Sequence, residues 1–146
     1  MFKFPDWCYG KLPSNNRFWI GMWLTWAAVL WWLSSGNPEI KDAPKIPHLD
    51  KVAHFCYFMA GGFCFANSLF LKRSVSWSGK RILLITLLAG AAMGSIDEYH
   101  QTKTPGRTGN DLGDWCADVS GTLAGAYYCL SMWNRLRKNN QYKFKS

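Results

Sequence analysis

Residues 82–101 read Ile82-Leu83-Leu84-Ile85-Thr86-Leu87-Leu88-Ala89-Gly90-Ala91-Ala92-Met93-Gly94-Ser95-Ile96-Asp97-Glu98-Tyr99-His100-Gln101. An apolar, glycine-rich run stops abruptly in two adjacent acids, a His and a Gln. Thr102-Lys103-Thr104-Pro105-Gly106-Arg107 then supplies a turn and an Arg. Gly90, Gly94, Asp97 and Gln101 follow a helical period and fall on one stripe, with Glu98 about a quarter-turn away. Small and acidic residues therefore share one helix face.

Working outward, residues 18–38 carry no charge, and residues 52–71 contain His54 as their main ionisable group. Runs of about 20 such residues cross a bilayer core of ~30 Å. Residues 82–96 and 119–134 form two shorter runs, which span if Arg81 snorkels and the flanking acids sit at the headgroups. The apolar share is 49 % and mean hydropathy is −0.14, ordinary for a soluble chain, but nine Trp lower the average and the apolar residues are clustered. The expected fold is therefore all-α: one domain over 1–146, with four transmembrane helices near 18–37, 52–71, 81–98 and 113–134. A soluble protein with long buried helices is the rival.

The net charge of +8 is distributed rather than patched. With both termini and the middle loop inside, 12 Lys and Arg lie inside and 5 outside. That asymmetry predicts an N-in, C-in protein of the inner membrane. Eight of the nine acids then lie outside or at the outer boundary. No basic-aromatic motif accompanies the charge, so no nucleic-acid partner is expected. The tail from residue 134 reads as a basic topology anchor near anionic lipid.

Residues 1–36 could instead form a signal peptide, with Ser34-Ser35-Gly36 near a cleavage point. The apolar stretch is long and crowded with Trp19, Trp23, Trp26, Trp31 and Trp32, which favours an uncleaved first helix. Trp26 falls too deep for the interfacial belt that Trp prefers. Cys8, Cys56, Cys64, Cys116 and Cys129 form no CxxC pair and read as small apolar packing residues.

Two further segments meet the end of residues 82–101. Asp50, His54, Tyr57 and Gly61 lie on one stripe of the second span; Asp111, Asp114, Asp118, Gly121 and Gly125 repeat the pattern on the fourth. Gly90-xxx-Gly94 and Gly121-xxx-Gly125 allow close backbone approach in lipid, which serves a monomer and a homo-oligomer equally. The polar set Asp50, Lys51, Tyr57, Asp97, Gln101, Arg107, Asp114 and Asp118 is expected to bind ligand at the outer ends of helices two to four. Arg107 is the natural clamp for a carboxylate or phosphate. Glu98 or His54 is the candidate catalytic base, Glu98 as a desolvated carboxylate beside Asp97 and His54 oriented by Asp50. His48, His54 and His100 match no zinc spacing, so no metal is expected, and no cofactor fingerprint appears.

The motifs Asp50-Lys51-xx-His54-xx-Tyr57, Asp97-Glu98-Tyr99-His100-Gln101 with Pro105-Gly106-Arg107, and Asp114-xxx-Asp118-xx-Gly121-xxx-Gly125 resemble those of the VanZ-like membrane proteins. The founding member of that family is associated with low-level teicoplanin resistance. The motif-bearing core covers about 48–126, and Asp111 and Asp114 compete for the first acidic position of the third motif. The resemblance implies a multi-pass inner-membrane protein acting at the cell envelope and supplies no reaction.

Three functions are consistent with these residues. The first is an outward pocket binding an anionic or polar envelope ligand: a lipid headgroup, a cell-wall precursor or a glycopeptide. The second is a membrane-embedded hydrolase or transferase on a lipid-linked substrate. A proton-coupled transporter ranks below both, because the charges gather at one end of the spans. A purely structural membrane partner is the plain alternative.

Overall fold

The computed structural model describes residues 12–36, 48–72 and 77–143. Lys3, Cys8, Lys11 and most of the Pro-rich loop lie outside them. The described chain is all-α, four antiparallel helices in up-down order: α1 (Asn16–Ser34), α2 (Leu49–Phe70), α3 (Gly79–Gln101) and α4 (Leu112–Lys143). By length and composition, α2 and α3 are apolar enough to cross a membrane. At 22 and 23 residues and 1.5 Å per residue they reach about 33–35 Å.

Local signals set the ends. The Asn15 side chain accepts from the Arg17 N–H at 3.0 Å to open α1, and Ser78 accepts from the Arg81 N–H at 3.3 Å to open α3. His48, with φ of 62°, turns the chain into α2. The helix of α3 does not stop at the apolar boundary near 96 but carries Asp97 to Gln101 with it. Likewise the basic stretch after 134 is not a separate tail: α4 continues through it to Lys143, since no Gly or Pro interrupts it.

Glycine decides the packing. A Cβ on Gly121 would lie 2.2 Å from the Phe55 carbonyl oxygen, and one on Gly125 would lie 2.0 Å from that of Met59. From the other side, a Cβ on Gly62 would meet the Thr122 backbone at 2.4 Å. Helices α2 and α4 thus touch backbone to backbone. Gly90 and Gly94 let α3 close on the Thr122 and Asp118 side chains of α4. Ala66, Ile82, Ala126, Cys129 and Leu130 fill the end of the bundle opposite the acids, while Trp26, Leu30 and Phe58 fill the middle.

Helix α1 is fastened by Trp26. Its ring lies against Gly61, where a Cβ would come within 2.4 Å. Here Trp26 serves as a packing wedge rather than an interfacial anchor, which explains its depth. The outer faces are apolar on all four helices: Leu24 and Trp32 on α1, Val52 and Met59 on α2, Leu84 and Leu88 on α3, Leu123 and Tyr127 on α4 are all exposed.

Candidate functional site

The antiparallel order brings the C-terminal ends of α1 and α3 beside the N-terminal ends of α2 and α4. Near the rim, Lys51 of α2 extends its ammonium to Asp111 at 2.9 Å, Asp114 at 3.0 Å and Asp50 at 3.5 Å. Gly113 makes room for this, because a Cβ there would meet Lys51 Cε at 2.8 Å. Asp111 also caps α4, its Oδ1 accepting from the Gly113 N–H at 2.6 Å. The Lys51 ammonium, followed by that N–H, holds the Asp111 carboxyl below its usual value. Both contenders for the first acidic position therefore share one lysine, with Asp111 half-buried and Asp114 buried.

Deeper in, Asp97 is 3 % exposed. One of its oxygens accepts from the Ser34 hydroxyl of α1 and the other from the Gln101 amide at 2.8 Å. Glu98 is buried too, and its Oε2 accepts the Asp111 backbone N–H at 2.7 Å. The loop after α3 packs tightly enough for this only because residue 109 is Gly; a Cβ there would meet the Glu98 carbonyl oxygen at 2.4 Å.

At the centre, His54 Nδ1 lies 2.9 Å from Asp118 Oδ1, and Asp118 is fully buried. His54 is thus oriented by Asp118 of α4, not by Asp50, which points to Lys51 at the rim. One donor atom from each of His54, Asp97, Glu98 and Asp118 lies within 4.8 Å of the others. Four residues spread over 64 positions of sequence converge here.

A family model described as VanZ/LLP1 matches residues 12–134. The chain belongs to the VanZ/LLP1 family. No curated protein and no solved structure matches the chain. The VanZ/LLP1 match extends beyond the 48–126 motif core to α1, and α1 supplies contacts that the motifs did not reveal. Ser34 bonds to Asp97, and the Trp31 indole stacks on the His100 ring with centroids 3.7 Å apart and planes 7° apart.

Not every residue of the expected set joins the VanZ/LLP1 cluster. Arg107 Nη2 donates to the Leu33 carbonyl at 3.1 Å, so its fork caps the end of α1 rather than facing the acids. The Tyr57 hydroxyl donates to the Trp26 carbonyl at 2.9 Å and serves helix packing. The three histidines go to different neighbourhoods: His48 at the start of α2, His54 on Asp118, His100 against Trp31. Ser34 carries little local signal in the sequence, being only a small polar residue that closes an apolar run.

Proposed function

We propose that this VanZ/LLP1 protein is a multi-pass protein of the cell inner membrane, with four spans and both termini inside. It takes up the polar headgroup of an envelope lipid or lipid-linked cell-wall precursor at the outward ends of α2–α4, and hydrolyses or transfers it. The apolar outer faces of all four helices support the membrane placement, and the 12-to-5 distribution of Lys and Arg supports the orientation.

The observation that carries the chemistry is the contact between His54 and buried Asp118. In the tautomer whose Nδ1–H donates to Asp118, the carboxylate holds the imidazole and leaves Nε2 free to accept a proton. Water or an acceptor hydroxyl that loses its proton to Nε2 attacks the headgroup ester, and the displaced group leaves with a proton. Plain capture of an anion is less well supported, because Arg107 is turned to Leu33 and Lys51 is already shared by three carboxylates.

The test is reconstitution of the full chain in vesicles containing polyprenyl-linked and phospholipid substrates, with headgroup release followed by mass spectrometry. Release that His54→Gln lowers by ~10²–10⁴-fold is the expected result. Absence of release from every substrate removes the catalytic reading.

A second reading, binding without turnover, draws on the Arg107 Nε–H, which is buried and has no hydrogen-bond partner among the described residues. It predicts that a headgroup ligand binds the wild-type chain and His54→Gln equally well but binds Arg107→Ala poorly.

A further inference from the structure

We propose that His54, Asp97, Glu98 and Asp118 form a binding site for one divalent cation of the Mn²⁺ or Zn²⁺ class. The proposal deepens the reading of this centre as headgroup-processing, and its catalytic use rests on that reading. The binding itself does not. With an ion bound, His54 is a ligand, and the ion rather than Nε2 would activate the attacking water, by lowering its pKa.

Hydrogen bonding accounts for most of the carboxylate oxygens. Asp97 accepts from Ser34 and Gln101, Glu98 Oε2 from the Asp111 N–H, and Asp118 Oδ1 faces His54 Nδ1. Glu98 Oε1 and Asp118 Oδ2 are left over. Both are shut off from solvent, and neither has a partner among the described residues. Glu98 is 4 % exposed and Asp118 0 %. Asp118 Oδ2 points at α3 beside Gly94, where a Cβ would come within 2.9 Å. That position is one turn before Asp97 and Glu98. Buried acceptors rarely go unmatched, because water's hydrogen bonds have been surrendered for nothing.

Charge leads to the same conclusion. Three buried carboxylates stand together, and the nearby ammonium of Lys51 is committed to Asp50, Asp111 and Asp114. Even with His54 as imidazolium, three ionised carboxylates leave the cluster with a charge of −2. Like charges out of water repel strongly unless a proton or cation stands between them. As a ligand His54 is neutral, so the cluster carries −3, and a divalent ion cuts this to −1 while matching both unpaired acceptors.

The donor set selects the ion. One imidazole nitrogen with carboxylate oxygens suits borderline cations, whereas Ca²⁺ takes six to eight oxygens. In an octahedral shell with bonds of about 2.1 Å, donors stand roughly 3.0 Å apart when adjacent and 4.2 Å when opposite. The four donors lie within 4.8 Å of one another, so small side-chain rotations close them on an ion. Asp97 and Glu98 come from α3, His54 from α2 and Asp118 from α4. No linear zinc spacing could have announced a site assembled in this way.

The experiment uses the full chain in nanodiscs, stripped by a chelator and then titrated at neutral pH with Mn²⁺ by electron paramagnetic resonance and with Zn²⁺ by calorimetry. One ion per chain is expected, with Glu98→Gln and Asp118→Asn each weakening it by about 10–100-fold and Asp111→Asn leaving it within a few-fold. Should the core variants not fold, histidine-labelled wild type decides by nuclear magnetic resonance: Mn²⁺ must broaden the His54 imidazole signals before those of His48. No one-to-one binding, binding that depends on Asp111 instead of Glu98 and Asp118, or an unaffected His54 would overturn the site. Metal binding without headgroup release keeps the site and removes the catalytic reading. Release that survives chelation and does not respond to added metal removes the ion's catalytic use and keeps that reading, while the titration decides the site.

Discussion

Trp26 and Tyr57 hold each other by their backbone carbonyls. The Trp26 indole N–H donates to the Tyr57 carbonyl at 2.9 Å, and the Tyr57 hydroxyl donates to the Trp26 carbonyl at 2.9 Å. Their rings stack with centroids 5.6 Å apart, over a gap that Gly61 leaves open. This reciprocal pair of hydrogen bonds across α1 and α2 aligns Ser34 with Asp97, two turns further along α1.

Removing either half should therefore loosen α1. Tyr57→Phe is expected to cost about 1 kcal/mol, the net worth of one hydrogen bond. Trp26→Ala is expected to cost ~3–5 kcal/mol, because it also empties a packed site. Reversible unfolding in detergent measures both, and equal losses in the two variants would contradict the account.

Glycine contacts should separate sharply by position. Gly125→Ala places a methyl against the Met59 backbone oxygen and should destabilise the chain by ~1–3 kcal/mol or more. At Gly21 nothing lies within 4 Å of the added carbon. Gly21→Ala should instead be neutral or add up to about 1 kcal/mol, since Ala is the better helix former. The same unfolding assay compares the two.

Lys51 should matter for what it leaves behind. Lys51→Met strands Asp114, whose side chain is 9 % exposed, while Asp111, at 41 %, can turn to water. A loss of ~1–3 kcal/mol is expected, part of it recovered when Asp114→Asn is added. A double-mutant cycle showing no coupling would refute the ion cluster.

Acid should unmake the same rim. Lys51 and the Gly113 N–H depress the folded pKa of Asp111 below its ordinary 3.8. The unfolded chain binds this proton first, so the contribution of Asp111 is present above pH about 4 and fades as pH falls through the depressed value. Asp111→Asn is expected to flatten that part of the acid-stability curve, followed by unfolding between pH 5 and 2.

Topology can be read from single cysteines in a background from which all five native cysteines are removed, Cys56 and Cys116 among them being exposed. With the proposed orientation, cysteine at Asp50 or Arg107 labels from outside intact cells, and cysteine at Lys80 labels only after they are opened. The reverse pattern would invert the orientation and move the acidic centre to the cytoplasmic face.

Much of the fold was legible in order of residues alone. Periodicity put Asp114, Asp118, Gly121 and Gly125 on one face of α4, and that face meets α2 at Lys51, His54, Phe55 and Met59. Of the α2 stripe Asp50, His54, Tyr57 and Gly61, His54 meets α4, whereas Tyr57 and Gly61 face Trp26 of α1. The VanZ-like resemblance was carried by residues that stand close in sequence, and the family match agrees with it. Helix ends were less legible. Hydropathy bounds the third span near 98, although the Gly90–Gln101 stripe carries the helical period to 101, and it leaves the residues after 134 as a tail. The backbone continues its hydrogen bonds through polar residues until a turn former intervenes.

The amino-acid sequence by itself determined that the described chain is helical, that the acids from Asp50 to Asp118 gather at one end, and that glycine and acid share the packed faces. These are consequences of local period and composition. Which acid meets which partner was decided only by tertiary structure. His54 pairs with Asp118 rather than Asp50, Arg107 turns to Leu33, and Ser34 reaches Asp97 across 63 residues. The reason is physical. A helix face specifies direction but not depth or neighbour. Partners on separate helices are chosen by how closely Gly62, Gly121 and Gly125 let the backbones approach and by the Trp26 and Asp118 side chains that Gly61 and Gly94 admit.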